Sequence, residues 1–175
     1  MDRKIKIIFL DRDGVVNKEV GYLHTIERFE FIDGVFEACK YFESIGFKII
    51  IITNQSGIAR GFYSVNDFNI VNGWMLEQFK NNDIEILDVF FCPHGPKDNC
   101  DCRKPKPGMF IHANTKYNID MNNSWMVGDK EIDITAANNA GIINTILVKS
   151  GHDIDEKNSK ASFILESIRQ VPEVF

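Results

Sequence analysis

No apolar run in the 175-residue chain is long enough to cross a bilayer as a helix, so a membrane-embedded role is not expected. A basic surplus is also missing. Lys and Arg number 20 against 25 Asp and Glu, a net charge of -5, whereas a general nucleic-acid footprint is basic. Neither nucleic acid nor membrane is therefore expected as a partner, while an anionic small molecule remains possible because local groups decide that. There is no internal repeat, low-complexity tract or linker. The start, Met1-Asp2-Arg3-Lys4, has no signal-peptide layout and leads straight into an apolar run, so a cytoplasmic protein is expected. Cysteine is scarce, at four residues. Cys39 sits in a helical pattern and reads as core. Cys92, Cys100 and Cys102 crowd into one loop with His94. Structural disulfides are rare in the cytosol, so the cluster points to metal. The length suits one domain, residues 1–175, with a substantial core.

What is present is a β/α alternation. Ile5 to Leu10 reads as a buried strand that stops at Asp11-Arg12-Asp13-Gly14. Residues 14–33 suggest a short flap, in the form of a β-hairpin. Apolar positions over 34–45 predict a helix closed by Gly46. Phe47–Ile52 predicts a second strand, ending at Thr53-Asn54-Gln55-Ser56-Gly57. Ser64 with Asp67 marks a helix start, running to about residue 81. Further strands are expected over 85–91, 124–127 and 143–148, and helices over 107–117 and 131–140. A short strand at 162–165 and a last helical turn close the chain. This order predicts an α/β fold with a doubly wound, mostly parallel sheet. Right-handed crossovers then bring the strand ends to one edge, where ligands bind in such sheets.

That edge collects Asp11 and Asp13, Thr53 and Asn54, Arg103 and Lys104, and Asp129. Each group alone has a plain reading: a turn at Asp11–Gly14 or Thr53-Asn54, a solvated lysine at 104, a helix cap at Asp129. Together they offer three carboxylates, a hydroxyl and cations. Hard oxygen ligands suit Mg²⁺ beside a phosphate. Thr53 and Lys104 suit the charge of a transferring phosphoryl group. Asp11 is then a candidate nucleophile and Asp13 a candidate acid and base. Asp133 is expected to act as a partner for Lys104 or for a metal-bound water.

The second metal centre is read from Cys92-Pro93-His94 and Cys100-Asp101-Cys102. Three thiolates and an imidazole match a closed structural Zn²⁺ site, although the spacing is tighter than in the usual finger. Its expected task is to brace the loop that delivers Arg103 and Lys104.

Asp11-Arg12-Asp13-Gly14, Thr53, Lys104 and Gly128-Asp129-Lys130-Glu131-Ile132-Asp133 resemble, in order, the motifs of the haloacid dehalogenase superfamily. The resemblance covers roughly the first 150 residues. It implies a Rossmann-like fold with Asp11 as nucleophile and Mg²⁺ ligand. Asp13 is implied as the acid/base that binds the metal through its backbone carbonyl. Thr53 and Lys104 would hold the phosphoryl group, and Asp129 would complete the metal site. An acid at position 13 implies a phosphatase rather than a dehalogenase.

The intervals between motifs hold a flap, helices, a strand and the zinc loop, with no room for a cap domain. The segments left to choose a substrate are Gly21-Tyr22-Leu23-His24, the run from Thr53 to Gly61, Cys92-Pro93-His94, Cys100 to Pro105, and Val127 to Lys130. They are similar to the D-glycero-D-manno-heptose 1,7-bisphosphate 7-phosphatase family. That implies removal of the 7-phosphate from a phosphorylated sugar, on the way to nucleotide-activated heptose for lipopolysaccharide or another surface glycan. By position, Arg103 and Lys130 would contact the distal phosphate or sugar. Asn54, Ser56 and the flap residues Lys18, Glu19, Gly21 and Tyr22 would line the sugar. Arg60, with Arg103 and Lys130, suits a second phosphate better than the amine of histidinol phosphate, the substrate of a related family with a similar zinc loop. The link between His94 and Cys100 is shorter than in the best-known members. A zinc-braced binding module without turnover would lack Asp11 or Asp13, and both are present. A monomer is expected for a small capless enzyme.

Overall fold

A computed structural model describes residues 4–175; Met1, Asp2 and Arg3, which belong to the expected leader-free start, lie outside the described residues. Six strands form one sheet: β1 (Ile7–Leu10), β2 (Lys48–Asn54), β3 (Ile86–Cys92), β4 (Trp125–Gly128), β5 (Asn144–Val148) and β6 (Phe163–Leu165), in the order β3-β2-β1-β4-β5-β6. Every strand pair is parallel. Parallel strands need helical crossovers, which cover both faces and make the central strands apolar throughout. All four residues of β1 are buried, as are the five from Ile49 to Thr53 in β2.

Alternation sorts the side chains into two cores. Ile8, Leu10, Ile49 and Ile51 meet α1 (Val35–Ser44) and α2 (Val65–Asn81) on one face. Ile7, Phe9, Ile50 and Ile52 meet α3 (Gly108–Tyr117) and α4 (Glu131–Asn139) on the other. Cys39 is fully buried in the first core, as its helical spacing predicts. The Ser64–Asp67 signal becomes a reciprocal capping box at the start of α2. Strand ends differ from the sequence reading by one or two residues. Ile5, for example, makes an isolated bridge to Ile119 rather than extending β1.

The flap is the main correction. Its two legs meet through Lys18 N–H to the Glu30 carbonyl (2.8 Å) and Ile32 N–H to the Val16 carbonyl (2.9 Å). Beyond isolated bridges there is no hairpin ladder, and Ile26–Arg28 forms a 3₁₀ turn. The reason lies in its aromatics. Phe29 and Phe31 both pack inward onto Trp74, at centroid distances of 5.4 and 5.9 Å, and Phe31 also meets Phe36 and Phe79. Burial of these rings, not strand pairing, fixes this segment. No folded insert separates the strands among the described residues, so the strand ends are left open as a capless edge.

Candidate active site

The sheet order reverses at β1, between β2 and β4, and the crevice at that switch point holds the polar groups. Asp11 follows β1, with its N–H bound to the Val127 carbonyl of β4 at 3.0 Å. Thr53 and Asn54 end β2, and Asp129 follows β4. Lys104 arrives from the loop between β3 and α3. The side-chain amide of Asn54 clamps its backbone, donating to the Lys104 carbonyl and accepting from its N–H, each at 3.1 Å. Gly14 is required where β1 turns into the site. Its φ is +89°, and a Cβ there would lie 2.3 Å from Asp129 Oδ2.

Lys104 is the electrostatic centre. Its Nζ lies 3.0 Å from Asp11 Oδ1, 2.7 Å from Asp133 Oδ1 and 2.9 Å from the Ile52 carbonyl, and the residue is 2 % exposed. Burial works against its charge, but Asp11 and Asp133 hold its pKa above the ordinary lysine range. One cation therefore faces three buried carboxylates. Burial pushes Asp11 up, and the Asp133, Asp129 and Asp13 anions add to this against the pull of Lys104. Burial, helped by Asp133, lifts Asp129 to about 7. Asp11, Asp129 and Asp133 each offer an oxygen, all within 4.8 Å of one another. Oδ1 of Asp129 is buried without a hydrogen-bond partner. An excess of anionic oxygen with an unused lone pair fits a hard divalent cation.

Asp13 has a different environment. Oδ1 accepts from Arg12 Nη2 and Asn17 Nδ2, each at 3.0 Å, and Oδ2 from Gln55 Nε2 at 3.1 Å. Against the cost of burial, Arg12 and these donors hold its pKa below the usual carboxylate range. Its side-chain bonds thus lie apart from the Asp11, Asp129 and Asp133 trio.

Asp133 bears out one of its expected roles, pairing with Lys104. Its Oδ2 also accepts from the N–H groups of Asp129 and Lys130, at 3.1 Å each, fixing the start of α4.

An open cleft of about 320 Å³ lies over these groups. Glu19, Gly21, Tyr22, Asn54, Ser56, Arg60, Arg103 and Lys130 all line it, as the sequence predicts. Lys18 is the exception: it is exposed, pairs with Glu30 and is not on the cleft wall. The irregular flap turns its side chain outward, away from the cleft. Thr53 lies behind the wall, 1 % exposed, with its hydroxyl accepting from Gln55 Nε2 at 2.8 Å.

The residues that sequence reasoning passed over are the ones that hold others in place. Arg12 is buried and donates to Asp13 and to the Leu23 carbonyl. Gln55 donates to Asp13 and accepts from Tyr63, and both also line the cleft. His152 reaches Asp129 Oδ2 with Nδ1 at 2.5 Å from the loop after β5, a contact with no local sequence signal.

In the zinc loop, Cys92, His94, Cys100 and Cys102 converge, with ligand atoms within 4.8 Å of one another and no disulfide. Cys92 Sγ lies 3.7 Å from Cys100 Sγ and 2.7 Å from Cys102 Sγ; the first is close to the ~3.8 Å separation of two sulfurs bound tetrahedrally at about 2.3 Å from zinc, and the second is shorter than that separation. The donor set fits that metal. The same loop sets Arg103, whose Nη1 donates to the His94 carbonyl at 3.3 Å.

Comparison with known proteins agrees with this geometry. A family model described as "HAD-hyrolase-like" matches residues 101–171. The D-glycero-alpha-D-manno-heptose-1,7-bisphosphate 7-phosphatase of Photorhabdus laumondii is 47 % identical over 165 residues, covering 90 % of each chain. The D-glycero-beta-D-manno-heptose-1,7-bisphosphate 7-phosphatase of Vibrio cholerae is also 47 % identical, over 173 residues, covering 94 % of this chain and 93 % of its own. Among solved structures, a D,D-heptose 1,7-bisphosphate phosphatase from B. bronchiseptica, complexed with magnesium and phosphate, superposes with a TM-score of 0.86. It is 30 % identical, and the match covers 97 % of both chains.

Proposed function

We propose a reaction for this chain from one premise: it belongs to the D-glycero-D-manno-heptose-1,7-bisphosphate 7-phosphatase family of haloacid dehalogenase-like hydrolases. It is a phosphoric monoester hydrolase that takes the 7-phosphate from the heptose bisphosphate and leaves the 1-phosphate for nucleotide activation. The observation that carries this reading is Lys104 Nζ, bound at once to Asp11 and Asp133 beneath a cleft lined by Arg60, Arg103 and Lys130. A doubly phosphorylated sugar needs one phosphate at a nucleophile and a second on a basic rim.

Asp11 attacks phosphorus and forms an aspartyl-phosphate. Its Oδ1 accepts from Arg12 N–H at 2.8 Å and from Lys104, which stops the carboxylate rotating. Asp13, once it has taken up a proton, gives it to the departing sugar oxygen and then, as the carboxylate, takes one from the water that cleaves the acyl phosphate. Thr53 and Lys104 hold the phosphoryl oxygens, and Lys104 offsets their charge in a site where little water screens it. Asp11 and Asp129 through their side chains, with the Asp13 carbonyl, would hold Mg²⁺, while Asp133 stays with Lys104. When bound, that ion neutralises the carboxylates against the incoming phosphate. Arg103 and Lys130 receive the 1-phosphate, while Asn54, Ser56 and the flap from Glu19 to Tyr22 face the sugar. The Cys92, His94, Cys100 and Cys102 cluster would hold a structural zinc and so fix the approach of Arg103 and Lys104. The enzyme works in the cytoplasm as a monomer, within a single domain, and its product feeds heptose of lipopolysaccharide or another surface glycan.

The test compares kcat/KM for the two heptose bisphosphate anomers and for histidinol phosphate. A strong preference for a heptose bisphosphate is expected. Preference for histidinol phosphate would overturn the substrate assignment and leave the phosphatase chemistry standing.

A further inference from the structure

Behind Asp13 runs a short chain of polar groups. The Tyr63 hydroxyl lies 2.5 Å from Gln55 Oε1, and Gln55 Nε2 lies 3.1 Å from Asp13 Oδ2 and 2.8 Å from Thr53 Oγ1. Only one assignment of the Gln55 amide satisfies all three contacts. An ionised carboxylate only accepts, so the NH₂ group must face Asp13. The amide oxygen then faces Tyr63, which must donate. Burial raises the Tyr63 pKa to about 12, so its proton is present throughout the working range.

The alternative orientation would reverse every polarity. With its oxygen toward Thr53, the amide would accept the hydroxyl proton that a phosphoryl oxygen needs. It would also set an oxygen against an Asp13 oxygen. The Tyr63 ring is itself held in place. It stacks on His24 at 5.2 Å with planes 7° apart, and it passes so close to Gly57 that a Cβ there would sit 2.1 Å from Cε1.

We propose that Tyr63 is a positioning residue: its hydroxyl locks the Gln55 amide so that Asp13 Oδ2 is held toward the leaving oxygen and the Thr53 hydroxyl is free to donate to the phosphoryl group. This rests on the roles given above to Asp13 and Thr53, and it adds a residue on the cleft wall whose hydroxyl bonds to Gln55.

The test uses the full-length protein with Mg²⁺ and two esters. Heptose 1,7-bisphosphate has a leaving oxygen that needs a proton, and p-nitrophenyl phosphate has one that does not. Tyr63→Phe keeps the ring and removes the hydroxyl. It should lower kcat/KM for the sugar ester about 3- to 10-fold, the scale of one hydrogen bond, and the loss should exceed that for the aryl ester by about threefold or more. Gln55→Leu should lose more, and the Tyr63→Phe/Gln55→Leu double variant should fall no further than Gln55→Leu alone. Equal losses on both esters, an unchanged Tyr63→Phe, or multiplying losses in the double variant would overturn the proposal. Asp13→Asn separates this from its premise. If that variant loses both esters equally, the proton role of Asp13 fails and the inference goes with it. If it is selective for the sugar ester while Tyr63→Phe is not, only the Tyr63 inference fails.

Discussion

Replacing Lys104 by methionine removes one charge and little volume, and its consequence follows from the geometry around Nζ. Asp11 at 3.0 Å and Asp133 at 2.7 Å lose a shared cation, with Asp129 beside them. Removing one partner from a buried ion pair costs about 3–5 kcal/mol, because the remaining charge stays desolvated. For a chain of this size about 1 kcal/mol moves Tm by roughly 2–4 °C, so the metal-free variant should melt about 6–20 °C lower near pH 8. The pH dependence has a definite sign. A carboxyl whose folded pKa is raised binds a proton in the native state that the unfolded chain has released. Its stability contribution is therefore present at low pH and lost as pH rises through the folded pKa. Asp129, lifted to about 7, makes the metal-free parent itself less stable from about pH 4 up to about 7. Asp11, already pushed up by burial in the parent, acts in the same direction, and loss of Lys104 strengthens its effect, a carboxyl of this kind adding up to about 1.4 kcal/mol per pH unit. Thermal or urea unfolding in EDTA should thus show a gap between parent and variant that is widest at pH 7–8 and closes toward pH 5. A gap that stays constant or widens on acidification would refute the account of Lys104 as counter-ion to the carboxylates. Turnover of the variant should fall by at least about 100-fold with Mg²⁺ present, since a group placed against developing charge is lost.

Asp11→Asn should abolish turnover while the melting temperature holds or rises, because a desolvated carboxylate is removed; retained phosphate release would end its assignment as nucleophile. Chelating Mg²⁺ with EDTA, followed by adding it back, should stop and restore phosphate release, and metal-independent release would contradict the mechanism. Removing zinc with a thiol-competent chelator should raise KM by loosening the segment that carries Arg103 and Lys104, while Mg²⁺ binding at the Asp11 site survives. Metal analysis of the purified protein that finds no zinc would refute the structural role given to the cysteines.

The sheet was legible because its signals are local and repeated. Buried parallel strands must be apolar on both faces, and β1, β2, β4 and β5 each read so before ending in a polar group. The Ser64 cap and the glycines closing two helices needed only their neighbours in sequence. The flap was misread because Phe29 and Phe31 alternate like strand residues, while Phe29 packs onto Trp74 and Phe31 onto Trp74, Phe36 and Phe79, which lie later in the chain. Lys18 was misplaced with it.

The sequence by itself determined the chemistry on offer. It set carboxylates after β1 and β4, a hydroxyl at the end of β2, a lysine next to a thiol-rich loop, and an α/β frame bringing strand ends to one edge. Residue type and spacing along a strand suffice for that. The tertiary structure decided which carboxylates share a cation and which does not. Asp133 was brought to Lys104, and Asp129 was left with an unused buried oxygen. Asp13 was paired instead with Arg12, Asn17 and Gln55. Tyr63 was brought to Gln55. Those distinctions depend on distances of a few ångströms between segments up to 122 positions apart, as from Asp11 to Asp133. Burial then amplifies them, because a charge in a dry site must find its partner in the fold rather than in water.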